Sequence, residues 1–268
     1  VAAKAGVDHY PGGIGQSLID KAIRNTGEVG ADRDFWVDLA DDKEAARRAL
    51  VAVMRPKTAA PLDEAREIMG PNFHGVDQAG NYFSVIFTPK QRKLLEVVPF
   101  SVQGLQASAE THLLVAGYPL TIMDMLLRDQ RMFYSHSQPW FGEDAQHFAT
   151  RTKVKAAWHL VRKTPLPGST DKAWNAQRAL VPQADYIPST ALVAYAATLH
   201  AQILGERIYA GENVRTSDVS VGGFRVDVGD FTQTCGLVIN YWNDEPRLRV
   251  GLAVATRPIK PRYLKISR

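Results

Sequence analysis

The sequence predicts an α+β fold, helices flanking a mixed or antiparallel sheet, on three observations. Up to about residue 209 most segments with periodic apolar residues repeat at helical spacing. From Asn213 to Thr256 the period switches to two. Between these regimes lies a helix over Pro188–Tyr209, which holds Ala191–Leu204, the longest weakly polar stretch of the 268-residue chain.

The elements follow in order. Residues through Pro11-Gly12-Gly13 read as a lead-in, and Ser17–Arg24 as a short helix broken by Asn25-Thr26-Gly27. Asp41 or Asp42 can cap a helix over Lys43–Arg55, which Pro56 ends. Thr58-Ala59-Ala60-Pro61 then reads as a linker. The expected organisation is therefore an N-terminal extension over 1–61, a main domain over 62–256 and a basic tail over 257–268. In the main domain Leu62–Met69 is a helix ended by Gly70-Pro71, and Tyr82–Phe87 alternates as a strand. Thr88-Pro89 opens a helix over Gln91–Val98, with threonine as cap and proline in the first turn. Thr111–Ala116 is a buried strand, and Gly117-Tyr118-Pro119 turns it into a helix from Leu120 to about Met132. Ala156–Val161 is a further strand. Ser169 or Thr170, with Asp171 behind it, caps a helix carrying Trp174, Leu180 and Val181. On Pro188–Tyr209 the residues Leu192, Val193, Ala196, Leu199, Ile203 and Leu204 form a wide apolar stripe. The last segments, around Val226, Ile239 and Val250, read as an antiparallel meander of about four strands joined by Gly- and Asn-rich turns.

Charge is distributed unevenly. The chain has 32 Lys+Arg against 28 Asp+Glu, a net of +4. From Pro246 onward there are seven basic residues and no acid, so subtracting seven leaves residues 1–245 at −3. The basic character belongs to the tail, which argues against a basic domain built to grip nucleic acid. Cys235 is the single cysteine, which excludes an intrachain disulfide and a cysteine-based zinc site. No apolar run approaches the roughly 20 residues of a membrane-spanning helix. These features predict a soluble, cytoplasmic protein, although the start at Val1 reads as processed or trimmed.

The segments EAREIMGPNFHG (64–75), THLLVAGYPLTIMD (111–124), WHLVRKTPLPGSTDKAWNAQ (158–177), GERIYAGENVRTSD (205–218) and GFRVDVGDF (223–231) together resemble a loose family of uncharacterised bacterial hypothetical proteins. The resemblance spans about residues 62–257. It implies a bacterial or mobile-element origin and a body that begins near Leu62, and it transfers no catalytic residue.

Several polar groups invite a functional reading. His136 and His147 flank Glu143 and Asp144, a set able to supply metal ligands, but without tight spacing the segment reads as a loop anchored by Trp140 and Phe141. No metal or cofactor is expected. Arg162, Lys163, Ser169 and Thr170 can hold an anion if a helix starts at Ser169 or Thr170. Arg215 leads a polar cluster at the entry to the meander. His112, His159 and His200 read as packed histidines, and Cys235 as a turn residue. In the tail, Arg257, Lys260, Arg262, Lys265 and Arg268 can neutralise phosphates while Tyr263 stacks on a base. The leading expectation is a non-enzymatic binding or interaction module whose tail contacts nucleic acid or another polyanion, with a protein as the alternative partner. One rival is an enzyme, a hydrolase or transferase, with a dispersed site drawn from His136, His147, Arg162, Ser169 and Arg215. The other is a structural subunit of a bacterial or phage assembly.

Overall fold

The computed structural model describes residues 59–134 and 139–259. The chain divides into two units, Val1–Arg55 and Pro56–Arg268, and all described residues belong to the second. The helices expected over 17–24 and 43–55 lie outside the described residues.

The α+β expectation holds. Eight helices are described: α1 (Leu62–Met69), α2 (Val76–Phe83), α3 (Pro89–Leu94), α4 (Val102–Ser108), α5 (Ile122–Arg128), α6 (His147–Thr150), α7 (Trp174–Ala179) and α8 (Thr190–Leu204). Two sheets accompany them. The first has the order β1-β2-β3-β9-β4, from Phe73–His74, His112–Ala116, Trp158–Arg162, Ala255–Thr256 and Asp185–Tyr186. The second has the order β7-β6-β5-β8, from Gly236–Trp242, Arg225–Thr232, Asn213–Val219 and Val250–Leu252.

Local signals explain several elements. α1 ends at Gly70, whose φ of +50° suits glycine. Thr88 accepts from the Gln91 N–H while the Gln91 side chain accepts from the Thr88 N–H, a complete capping box, and Pro89 fills the first turn. α8 is flanked by Ser189, whose Oγ accepts from the Leu192 N–H, and by Gly205 at φ +74°. Every residue from Thr190 to Ala201 is buried, so this helix is enclosed on all sides rather than along a stripe. Its hydroxyls are satisfied inside: Tyr195 donates to the Ala116 carbonyl (2.8 Å), Thr190 bonds Thr216 (2.7 Å), and Thr198 donates to the Ala194 carbonyl (2.9 Å). Phe83 stacks on Tyr195 at 4.5 Å, fixing α2 against α8.

Four expectations require correction. Tyr82 and Phe83 close α2, and Ser84 turns left-handed after them, so no strand forms over 82–87. The helix after Leu120 is shorter, α5 followed by a 3₁₀ turn over Gln130–Met132. The helix near Trp174 starts at Trp174 itself with Ala173 at its cap, so Ser169 and Thr170 cap nothing. Finally, the last strand is no part of a meander. β5, β6 and β7 are antiparallel neighbours, but β8 lies parallel to β5 on its far edge. After Ala253 and Val254 the same extended run enters the first sheet as β9, between β3 and β4.

Candidate functional site

Those residues singled out in the sequence that are described do not converge. His136 lies outside the described residues, as do Lys260, Arg262, Tyr263, Lys265 and Arg268. His147 is exposed at the start of α6. Ser169 is fully buried, and its Oγ accepts from the Leu252 N–H (2.9 Å). Thr170 is exposed. Lys163 turns to Asn72 Oδ1 (3.2 Å) and to Glu206 (3.8 Å), so the expected anion cradle with Ser169 is not formed. Arg162 lies at the end of β3, where its carbonyl accepts from the Tyr209 hydroxyl. Trp140 and Phe141 do anchor their loop: Phe141 is buried, and Trp140 Nε1 donates to the Ile239 carbonyl. Cys235 is an exposed turn residue between β6 and β7.

Arg215 is buried and structural. Its Nη1 donates to the Lys172 carbonyl and Gln177 Oε1 (both 3.0 Å), and its Nη2 to the Asn243 and Glu245 carbonyls. Gln177 in turn donates to the carbonyls of Ser169 and Val250. Opposite Arg215 in the β5–β6 register is Asp227, also buried, with neither oxygen hydrogen-bonded. Arg247 approaches it at 3.9 Å. Burial raises the Asp227 carboxyl to about 6, against the opposing pull of Arg247 and Arg215. A second buried group joins His74 Nε2 to His200 Nδ1 at 2.8 Å. Glu206 lies 3.2 Å from His200 Nε2 but off the line a hydrogen bond needs. Burial, reinforced by His200, holds His74 down at about 3, and burial also lowers His200 despite Glu206. His112 is lowered to about 4 by burial and then by Arg162, and Thr111 bonds its Nδ1. These groups organise the interior.

A concave site lies elsewhere. A cavity of about 580 Å³ opens where the two sheets and the N-terminal end of α8 meet. The 152–157 loop forms one wall, held by Val154 N–H to the Leu120 carbonyl and Gly117 N–H to the Ala157 carbonyl. Gly117 makes that closure possible. A Cβ there would stand 2.3 Å from the Lys155 carbonyl oxygen and 2.8 Å from the His159 ring. The β4–β9 pairing sets Tyr186 opposite Ala255, so Arg257 lies 5.7 Å from the Tyr186 ring centroid. The Arg257 N–H is pinned to the Ala184 carbonyl and that of Ile259 to the Pro99 carbonyl. On the far wall, Ser217 N–H donates to the Pro188 carbonyl and holds Ser189 beside β5.

The chemistry of the lining is one-sided. Lys153, Lys155 and Arg257 supply three cations, no carboxylate contributes, and Val154, Trp158, Tyr186, Ile187 and Leu192 provide an apolar wall. The acids next to Tyr186 and Ser217 in sequence are engaged: Asp185 accepts from Thr256 Oγ1 (2.9 Å) and Asp218 from Thr190 N–H (2.7 Å). Asp218 and Ser189 thereby satisfy the first turn of α8, and the side-chain cations, not the helix end, give the cavity its sign. His159 is held neutral by burial, and its Nε2–H donates to the Lys155 carbonyl (3.0 Å), which leaves Nδ1 as an acceptor. No hydrogen bond joins a nucleophile to a base among the described lining residues. No group of three metal-ligating side chains occurs among the described residues either. The geometry suits holding an anion with an apolar body.

Most of these residues carried no local signal, because five separate segments deliver them. The legible traces were the Gly117-Tyr118-Pro119 turn and Arg257, the first residue of the basic tail. No helix among the described residues is long and apolar enough to cross a membrane. In comparisons with known proteins, no family model, curated protein or solved structure matches the chain.

Proposed function

We propose that the protein is a binding module for an anionic ligand with an apolar body, and that the basic residues following Arg257 in sequence contact a polyanion. One observation carries this reading: a cavity of about 580 Å³ whose ionisable lining groups at neutral pH are cations, set against an apolar wall. Arg257 belongs both to the cavity and to the tail, in which Lys260, Arg262, Lys265 and Arg268 follow with no acid between them. A ligand's carboxylate, sulfonate or phosphate meets Lys153, Lys155 or Arg257, while its apolar part covers Trp158 and Leu192. Dispersed catalysis lacks comparable support, since neither Ser169 nor Arg215 is accessible.

The test uses two probes of one shape, anilinonaphthalene sulfonate and neutral N-phenyl-1-naphthylamine, titrated by fluorescence into the full chain. The sulfonate is expected to bind more tightly by about tenfold, the preference to shrink as salt rises, and Lys155→Glu with Arg257→Glu to abolish it. Equal affinity for both probes, or a preference that survives the two charge reversals, refutes the reading.

A further inference from the structure

A second concavity, built from different residues, points to a ligand of opposite character. It is a groove of about 560 Å³ at the end of the β6–β7 hairpin, lined by Trp140, Phe224, Asn240, Tyr241, Trp242 and Asn243. Phe224, Tyr241 and Trp242 are each about two-fifths exposed, well beyond what an aromatic ring needs for packing. They are rigidly set. The rings of Phe224 and Tyr241 lie within 22° of parallel at 5.6 Å, and Trp140 meets Tyr241 edge-on at 4.7 Å, itself fixed by its bond to the Ile239 carbonyl.

Both asparagines are oriented by the backbone. Asn240 Oδ1 accepts from the Tyr241 N–H (2.8 Å) and Asn243 Oδ1 from the Glu245 N–H (3.2 Å). Their amide NH₂ groups remain as donors without a protein partner among the described residues. The lining carries no charge at neutral pH. Two neighbouring cations are committed: Arg247 lies over Trp242 (4.2 Å) and faces Asp227, while Arg225 lies over Trp174 (4.3 Å) and pairs with Asp244 (3.4 Å). Asp244 and Glu245, both exposed, follow Asn243 directly. A phosphate backbone stacked on these rings would find no cation among the described lining residues, only the paired Asp244 and exposed Glu245 beside them, which is not what nucleic-acid binding needs. Aromatic faces beside fixed amide donors instead match a neutral, polyhydroxylated ring with apolar C–H faces. A groove of this volume is also the size of a small-molecule site, not of a protein interface.

We propose that this groove is a saccharide-binding site, independent of the anion cavity. The test applies the full chain to an array of neutral hexose and N-acetylhexosamine oligosaccharides, then titrates the best binder by tryptophan fluorescence. Binding is expected below about 1 mM, unchanged by added salt and by Lys155→Glu, and weakened about tenfold or more by Tyr241→Ala or Phe224→Ala. Tyr241→Phe keeps the ring and is expected to keep most of the affinity, which distinguishes a lost contact from a lost fold. No array binder up to about 1 mM, or affinity unaltered by both ring removals, overturns the proposal. Tryptophan quenching by (dT)10 or by a peptide library, with no response to any saccharide, overturns it as well.

Discussion

Acidification tests the interior through His74 and His200. Both rings are buried, their nitrogens meet at 2.8 Å, and burial, then the neighbouring ring, holds His74 at about 3 against an ordinary 6.5. A histidine held down in this way binds fewer protons in the folded chain than in the unfolded one. The folded state therefore loses stability as pH falls below about 6.5, and the loss saturates only near the folded pKa of about 3. Between about pH 7 and pH 5 the loss from His74 alone comes to about 2 kcal/mol. His200, shifted the same way, adds to it. The perturbation is His74→Gln, whose amide reaches a similar position but does not titrate. Urea unfolding of both proteins at the two pH values gives the difference directly, because contributions from His112 and Asp227 are common to both. Wild type is expected to lose about 2 kcal/mol more than the variant. Equal losses would refute the claim that burial keeps this pair neutral.

Three further outcomes follow from the geometry. Asp227, raised to about 6, binds its proton more readily folded than unfolded, so its contribution is greatest in acid and is lost as pH rises through 6. Wild type should lose about 2 kcal/mol from this group between about pH 4.5 and pH 7.5, and Asp227→Asn should not, as read from urea midpoints. Gly117→Ala places a methyl group against the Lys155 carbonyl and His159, and should destabilise by about 1–3 kcal/mol while lowering affinity for the anilinonaphthalene sulfonate. A chain stopped after Ile259 keeps Arg257 and its backbone anchors but loses the later cations. Its affinity for (dT)20 should fall and lose most of its salt dependence in fluorescence anisotropy, and unchanged binding would remove the tail from the polyanion reading.

Local chemistry made much of the fold legible. Gly70-Pro71 ended a helix at Met69, the Thr88-Pro89-Gln91 pattern opened another, and β2 announced itself as an apolar run between Thr111 and Gly117. Periodicity failed where it had no partner to report. Val85, Ile86 and Phe87 follow a helix and form no strand pairing, and Ile86 is exposed. Period two around Val250 revealed a strand correctly but said nothing of which neighbour it chooses, so a parallel partner looked like the next turn of a meander. Two-residue strands such as β1 and β9 are too short to have a period. The candidate site was less legible still. Lys155, Tyr186, Ser217 and Arg257 meet only because β9 threads between β3 and β4, a fact of tertiary pairing. Charge accounting found Arg257 but could not find its company. Ser169 and Arg215 stood out as polar and proved to be bound into the interior by Gln177 and Leu252.

The extended run from Val250 to Thr256 has a bearing on how the protein is made. It is the edge strand of one sheet and an inner strand of the other, and between them Ala253 N–H bonds the Arg215 carbonyl while the Val254 carbonyl accepts from Arg162. Synthesis runs from the N-terminus at roughly 5–20 residues per second, so neither sheet is complete until this segment emerges from the ribosome. Until then β3 and β4 lack the strand that joins them, β5 has a bare edge, and the apolar residues of α8 lack their full cover. A nascent chain paused before Val250 should be open to proteases and to chaperones at β4 and at the unpaired edges of β3 and β5, and one released past Thr256 should close both sheets together.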